Sequence, residues 1–155
     1  MKTKLIVWML LPLLLVAIYF ARVRLESQRS VLETSEQFTL YSLSPNPGGD
    51  GPGERFHRFP VLGKTVISDG QVKRKLIDAL YKSIPEASGA ASCHMPRHGI
   101  RAVKGSRTLD LTICFACENI YFYDYGRMSY SEMSASAKPV FNAVLVENHV
   151  PLSKD

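Results

Sequence analysis

The sequence predicts an α+β domain: an antiparallel sheet of about four to five strands covered by two helices, preceded by an N-terminal transmembrane helix. Three observations predict it. An uncharged apolar run extends from Leu5 to Ala21, two strand-like segments flank a Gly-Ser turn after His98, and two later segments space their apolar residues as helices do. The composition, 46% hydrophobic and 21% charged, is that of a globular chain and excludes wholesale disorder or a fibrous repeat.

The run LIVWMLLPLLLVAIYFA would span roughly 25 Å as a helix, at about 1.5 Å per residue. That is near the short end of a membrane crossing, which takes about 17–25 residues. Lys2 and Lys4 supply a basic leader, and the small pair Ala17 and Ala21 is a poor cleavage signal. An uncleaved signal anchor over residues 1–24 is therefore favoured over a cleaved signal. Basic residues on both sides nearly balance the positive-inside count, and the signal-like start favours a carboxyl-terminal domain outside the cytoplasm. Residues 25–37 read as a polar juxtamembrane stalk, and 38–155 as one domain.

The charge also bears on partners. The formal net charge is +5, but Lys2, Lys4, Arg22 and Arg24 bracket the apolar run, and the remaining 15 bases face all 14 acids. The domain is close to neutral, so no polyanion-binding face is expected and nucleic acid is excluded as a partner. The expected partners are the membrane, through Leu5 to Ala21, and a protein or small ligand of unknown identity.

Within the domain, Phe38 to Leu43 suits a strand. Ser44 to Glu54 holds three prolines and four glycines in eleven residues and must be a loop. Arg58 to Ser68 reads as a strand interrupted at Gly63. Ser68 or Asp69 then caps a helix whose Leu76, Ile77, Leu80, Tyr81 and Ile84 share one face, and Pro85 ends it. His98–Val103 and Thr108–Phe115 form a hairpin about a two-residue Gly105-Ser106 turn. That register pairs Lys104 with Arg107 and sets Arg101 against Asp110. NIYFYDY adds a further strand. Ser134 or Ser136 caps a last helix with Pro139 in its first turn and Phe141, Val144 and Leu145 buried.

The same register brings Cys93, and with it His98, towards Cys114 and Cys117. Four chemistries fit this corner. A disulfide from Cys93 to Cys114 or Cys117 is the leading one in an oxidising compartment. Cys93, His98, Cys114 and Cys117 also have the Cys3His composition of a structural zinc site, which makes zinc the one cofactor considered. A Cys114-Phe-Ala-Cys117 redox pair is disfavoured because it closes a strand and does not open a helix. A Cys–His nucleophile lacks an orienting third group. Arg97, between Pro96 and His98, is a candidate anion ligand. His57 and His149 read as ordinary loop histidines, and Tyr121, Phe122, Tyr123 and Tyr125 as core and sheet edge. No phosphate loop, dinucleotide fingerprint, GxSxG elbow or HExxH occurs.

The segments Pro60-Val-Leu-Gly63, Pro96-Arg-His-Gly99, Ile113-Cys-Phe-x-Cys117 and Ser134-Ala-Ser-Ala-x-Pro139-Val-Phe lie between Phe59 and Leu152. Together this stretch resembles a family of small bacterial secreted or membrane-anchored domains with no assigned activity. The resemblance implies that the His98/Cys114/Cys117 corner is a family feature. It favours His98 over His94, where the family pattern often has an aromatic. The overall expectation is an extracytoplasmic binding or structural module without catalysis. The rival is a Cys/His metal or thiol-redox site.

Overall fold

The computed structural model describes Val16, Tyr19, residues 27–48 and residues 53–154. The chain divides into two compact units, Met1–Ser30 and Val31–Asp155.

Seven antiparallel strands form one curled sheet in the order β2-β3-β1-β4-β5-β6-β7. They are β1 (Gln37–Leu43), β2 (Arg55–Phe56), β3 (Phe59–Val66), β4 (His98–Lys104), β5 (Arg107–Cys114), β6 (Asn119–Asp124) and β7 (Arg127–Glu132). Residues 27–34 are helical (α1), and the other helices are α2 (Gly70–Ser83) and α3 (Lys138–Glu147), the latter led in by a single 3-10 turn. The β4–β5 register is the expected one, with Lys104 opposite Arg107, Arg101 opposite Asp110 and His98 opposite Ile113. Gly105 takes a positive φ of 54° at the first turn position, which an L side chain adopts only with strain.

Asp69 caps α2, its Oδ1 accepting from the Gln71 and Val72 amides at 2.6 and 3.3 Å. Ser134 caps the 3-10 turn before α3 by accepting from the Ser136 amide. Leu76, Ile77 and Leu80 of α2 are buried, as are Phe141, Val144 and Leu145 of α3.

The expected architecture needs two corrections. The sheet has seven strands where four to five were expected, so the domain is mostly sheet with short helices. The strand that escaped notice, β7, is an edge whose Met128 and Tyr130 are exposed. Its alternation is inverted, with Ser129 and Ser131 half-buried between exposed Met128 and Tyr130, so its apolar residues mark no core face. Its hairpin is set by Tyr125-Gly126, both at positive φ (50° and 70°), as a two-residue turn of the mirror-image type demands. β2, two residues long, has no periodicity to read.

The second correction concerns the membrane. No helix among the described residues is long and apolar enough to cross a membrane. Apart from Val16 and Tyr19, Leu5 to Ala21 lies outside the described residues, so the transmembrane helix and signal anchor have no counterpart in the described fold. In the stretch read as a polar stalk, residues 27–34 are helical and Val31 and Leu32 are buried.

Strand pleating gives the sheet two faces. Phe38, Leu40, Ile100, Ala102, Leu109, Leu111, Ile113, Ile120 and Phe122 share one register phase, and all are at most 1% exposed. This is the face the helices cover, and Phe141 of α3 meets His98 and Phe115 edge-on there. The opposite phase carries Tyr41, Gly99, Arg101, Asp110, Thr112, Tyr121 and Tyr123. This open face holds the candidate site.

Candidate functional site

The open face is roofed at two places. The first roof is the β2–β3 hairpin, which folds back over the sheet. Its Phe56 stacks on Tyr41 at 4.4 Å between ring centroids, and Tyr41, Leu43, Phe56 and Phe59 form a small second core. Gly99 makes this possible: a Cβ there would stand 2.9 Å from the Phe56 ring and 3.3 Å from the Leu111 carbonyl oxygen. The His57-Arg58 pair makes the hairpin turn, and His57 adopts φ 54°, a left-handed conformation that His, with Asn and Asp, takes more readily than most side chains.

That turn sets the His57 ring flat on Tyr123, with centroids 3.8 Å apart, and brings its Nε2 to 3.1 Å from Asp110 Oδ2. Asp110 also takes a two-pronged grip from Arg101, whose Nε donates to Oδ1 at 2.8 Å and Nη2 to Oδ2 at 2.6 Å. Burial alone would raise the Asp110 pKa. The Arg101 fork and His57 outweigh it and hold the carboxyl below its ordinary range. A planar guanidinium matched to a carboxylate is the strong form of such a pair.

The second roof is the segment from Ala91 to Arg97. Cys93 and Cys117 form a disulfide, with Cα atoms 5.9 Å apart. Asn119 Nδ2 donates to the Cys93 carbonyl at 2.6 Å and the Ala91 carbonyl at 3.3 Å, and the Ala91 amide donates to the Cys117 carbonyl. His94 then plants its ring on the sheet, Nδ1 2.6 Å from Asn119 Oδ1 and Nε2 2.8 Å from Thr112 Oγ1. Asn119 Oδ1 can only accept, so Nδ1 carries the proton, and the Thr112 hydroxyl donates to Nε2. Burial lowers the His94 pKa, the Asn119 bond works against this, and nearby Arg58 lowers it further, so the site favours the neutral imidazole.

Between the two roofs lies a cleft of ≈ 360 Å³ lined by His57, Arg58, His94, Tyr121, Tyr123 and Met128. Its base is aromatic: His94 stands edge-on to Tyr121, and Tyr121 edge-on to Tyr130.

The residues singled out from sequence are only partly brought together. Cys93 meets Cys117, while Cys114 remains a buried free thiol whose Sγ accepts from the Cys117 amide at 3.1 Å. The CFAC pair is thus not a redox pair with itself. His98 faces the helices, and Cys114, one step beyond its partner Ile113, is of the opposite phase. Among the described residues no group of three or more His, Cys, Asp or Glu is placed to hold a metal ion. With Cys93 and Cys117 joined, the four proposed zinc ligands do not form one tetrahedral set.

His98 is buried, its Nε2 2.9 Å from Asn142 Oδ1, and its Nδ1 has no hydrogen-bond partner among the described residues. Desolvation brings its pKa down to about 4. Arg97 donates from Nε to the Lys154 carbonyl at 3.4 Å and shares a small cavity with His98, Lys138, Asn142 and Ser153.

The residues of the cleft were the ones missed. His57 reads as a loop histidine because its neighbours Asp110 and Tyr123 are more than fifty positions away. The legible signal was Phe56-His-Arg-Phe59, two apolar residues flanking a two-residue turn. No protein family, curated protein or solved structure matches the chain.

Proposed function

We propose that the chain is a non-enzymatic binding module of an oxidising, extracytoplasmic compartment, and that its ligand enters the cleft between the two roofs of the open face. One observation carries this reading. The side chains lining the cleft are held in place by contacts outside it: His57 by Asp110, His94 by Asn119 and Thr112, and the second roof by the disulfide. A concave, preorganised surface with a few placed polar groups and aromatic walls is how small-ligand sites are built.

The compartment rests on the disulfide, which persists where thiols oxidise. Labelling of denatured, unreduced protein from cells should find one free thiol, Cys114. Three would count against the compartment. The binding reading is tested with a fragment library and amide NMR on the full chain. Hits should move signals of His57, Arg58, Tyr121 and Tyr123 together. A library that moves none of them would refute the site.

A further inference from the structure

The cleft is electrostatically one-sided. Its neighbour Asp110 is already neutralised by the Arg101 fork, and Lys64, opposite Tyr41 on the same face, is closed on Glu54. Arg58 differs. Its guanidinium carbon lies 5.2 Å from the Phe59 ring centroid, and among the described residues it has no carboxylate partner. It therefore brings the one uncompensated charge to a cleft whose other lining is aromatic and thioether: Tyr121, Tyr123 and Met128, with the imidazoles of His57 and His94.

From this the geometry points to a ligand class: a small ring-bearing carboxylate, its acid group held by Arg58 and its ring lying against Tyr121, Tyr123 and Met128. The inference rests on the binding-module reading and deepens it. The guanidinium fork matches a planar carboxylate with two parallel hydrogen bonds, and Arg58 is exposed beside Phe59 and lines the cleft. Tyrosine faces take flat rings, whether aromatic or the apolar side of a sugar. A volume of ≈ 360 Å³, at the lower end of the roughly 300–1,000 Å³ usual for small-ligand clefts, has room for one ring with its acid group. Two sources share this chemistry, aromatic acids and sugar acids. The hydroxyls of Tyr121 and Tyr123 would serve the second by hydrogen bonding.

Four probes separate the alternatives: benzoate, glucuronate, benzamide as the neutral isostere of benzoate, and acetate as the acid without a ring. Each is titrated into the full chain and followed by amide NMR. Benzoate or glucuronate should move the His57, Arg58, Tyr121 and Tyr123 signals at least tenfold more tightly than benzamide or acetate, and whichever binds identifies the source. Arg58→Gln should weaken that binding at least tenfold with no change in melting temperature, because Arg58 is exposed. Arg58→Lys, keeping the charge without the fork, should fall between the two. Benzamide binding as tightly as benzoate overturns the carboxylate inference and leaves the binding module standing. Failure of all four probes at millimolar concentration overturns the inference, and if the fragment library also moves no cleft signal, the module reading falls with it.

Discussion

The helix-covered and open faces of the sheet are made by the same strands, one residue out of step, and they are held by different physics. On the covered face Leu111, Ile113, Ile120 and Phe122 are sealed from water. Their contribution is area removed from solvent, about 25 cal/mol per Å², and needs no directional partner. On the open face Arg101, Asp110, Thr112, His94 and Asn119 each depend on a named atom of another residue. Burying such groups is favourable only when those partners are in place. One face therefore answers to volume and the other to geometry, and the face that answers to geometry is the one able to recognise a ligand. His98 is the exception, a titratable ring on the apolar side.

The comparison breaks most visibly at adjacent residues. Phe122→Ala should cost about 3–5 kcal/mol in urea unfolding, the usual range for a sealed aromatic, while Tyr123→Ala, one residue along on the open face, should cost less than half as much. Equal losses would mean the two faces are not distinct.

Opening the disulfide tests the second roof. Cys93 and Cys117 are 24 positions apart, and by loop entropy their bond is worth about 3.5 kcal/mol. Cys93→Ser should lower stability by about that amount and broaden the His94 NMR signals. A stable variant with unchanged His94 signals would show that Asn119 holds the segment alone.

Acid separates the faces by pH window. His98 has its folded pKa depressed from 6.5 to about 4, so the unfolded chain binds the extra proton and stability drops as pH falls through that interval. The loss is about 3 kcal/mol by pH 4, and is complete below it. His98→Met should flatten this slope. The Asp110 carboxyl, also depressed, loses its contribution only at more acid pH, below the ordinary carboxylate value of 3.8. A titration curve unchanged by His98→Met would remove the exception from the covered face.

Smaller effects belong to the open face. Asp110→Asn should cost about 2 kcal/mol, since Arg101 and His57 lose the charge they address, and it should release the His57 ring from Tyr123, read as a change in ring-current shift. Arg58→Gln should change stability by less than about 0.5 kcal/mol, as exposed substitutions do. A large loss would make Arg58 structural and end its role as a ligand group.

Much of the covered face was legible in the chain. The Gly105-Ser106 turn set the hairpin register, and with it the Arg101–Asp110 pair, because turn chemistry and alternation are local. Asp69 as a helix cap and Phe141, Val144 and Leu145 as a buried stripe follow from the same short-range rules. The disulfide was half legible: register brought Cys93 towards both Cys114 and Cys117, but the choice of Cys117 depended on how the chain turns after β5.

Beyond the Arg101–Asp110 pair, the open face was not legible. His57, Tyr123 and Asp110 meet because the sheet curls and the β2–β3 tip folds back across it, and that fold-back needs Gly99 to be bare beneath Phe56. Curl accumulates over seven strands and leaves no periodic mark in any one of them. Local spacing thus determined which residues lie on each face of the β4–β5 hairpin. Only the tertiary structure decided which residues share a cleft, because that depends on contacts between segments whose sequence separation carries no signal.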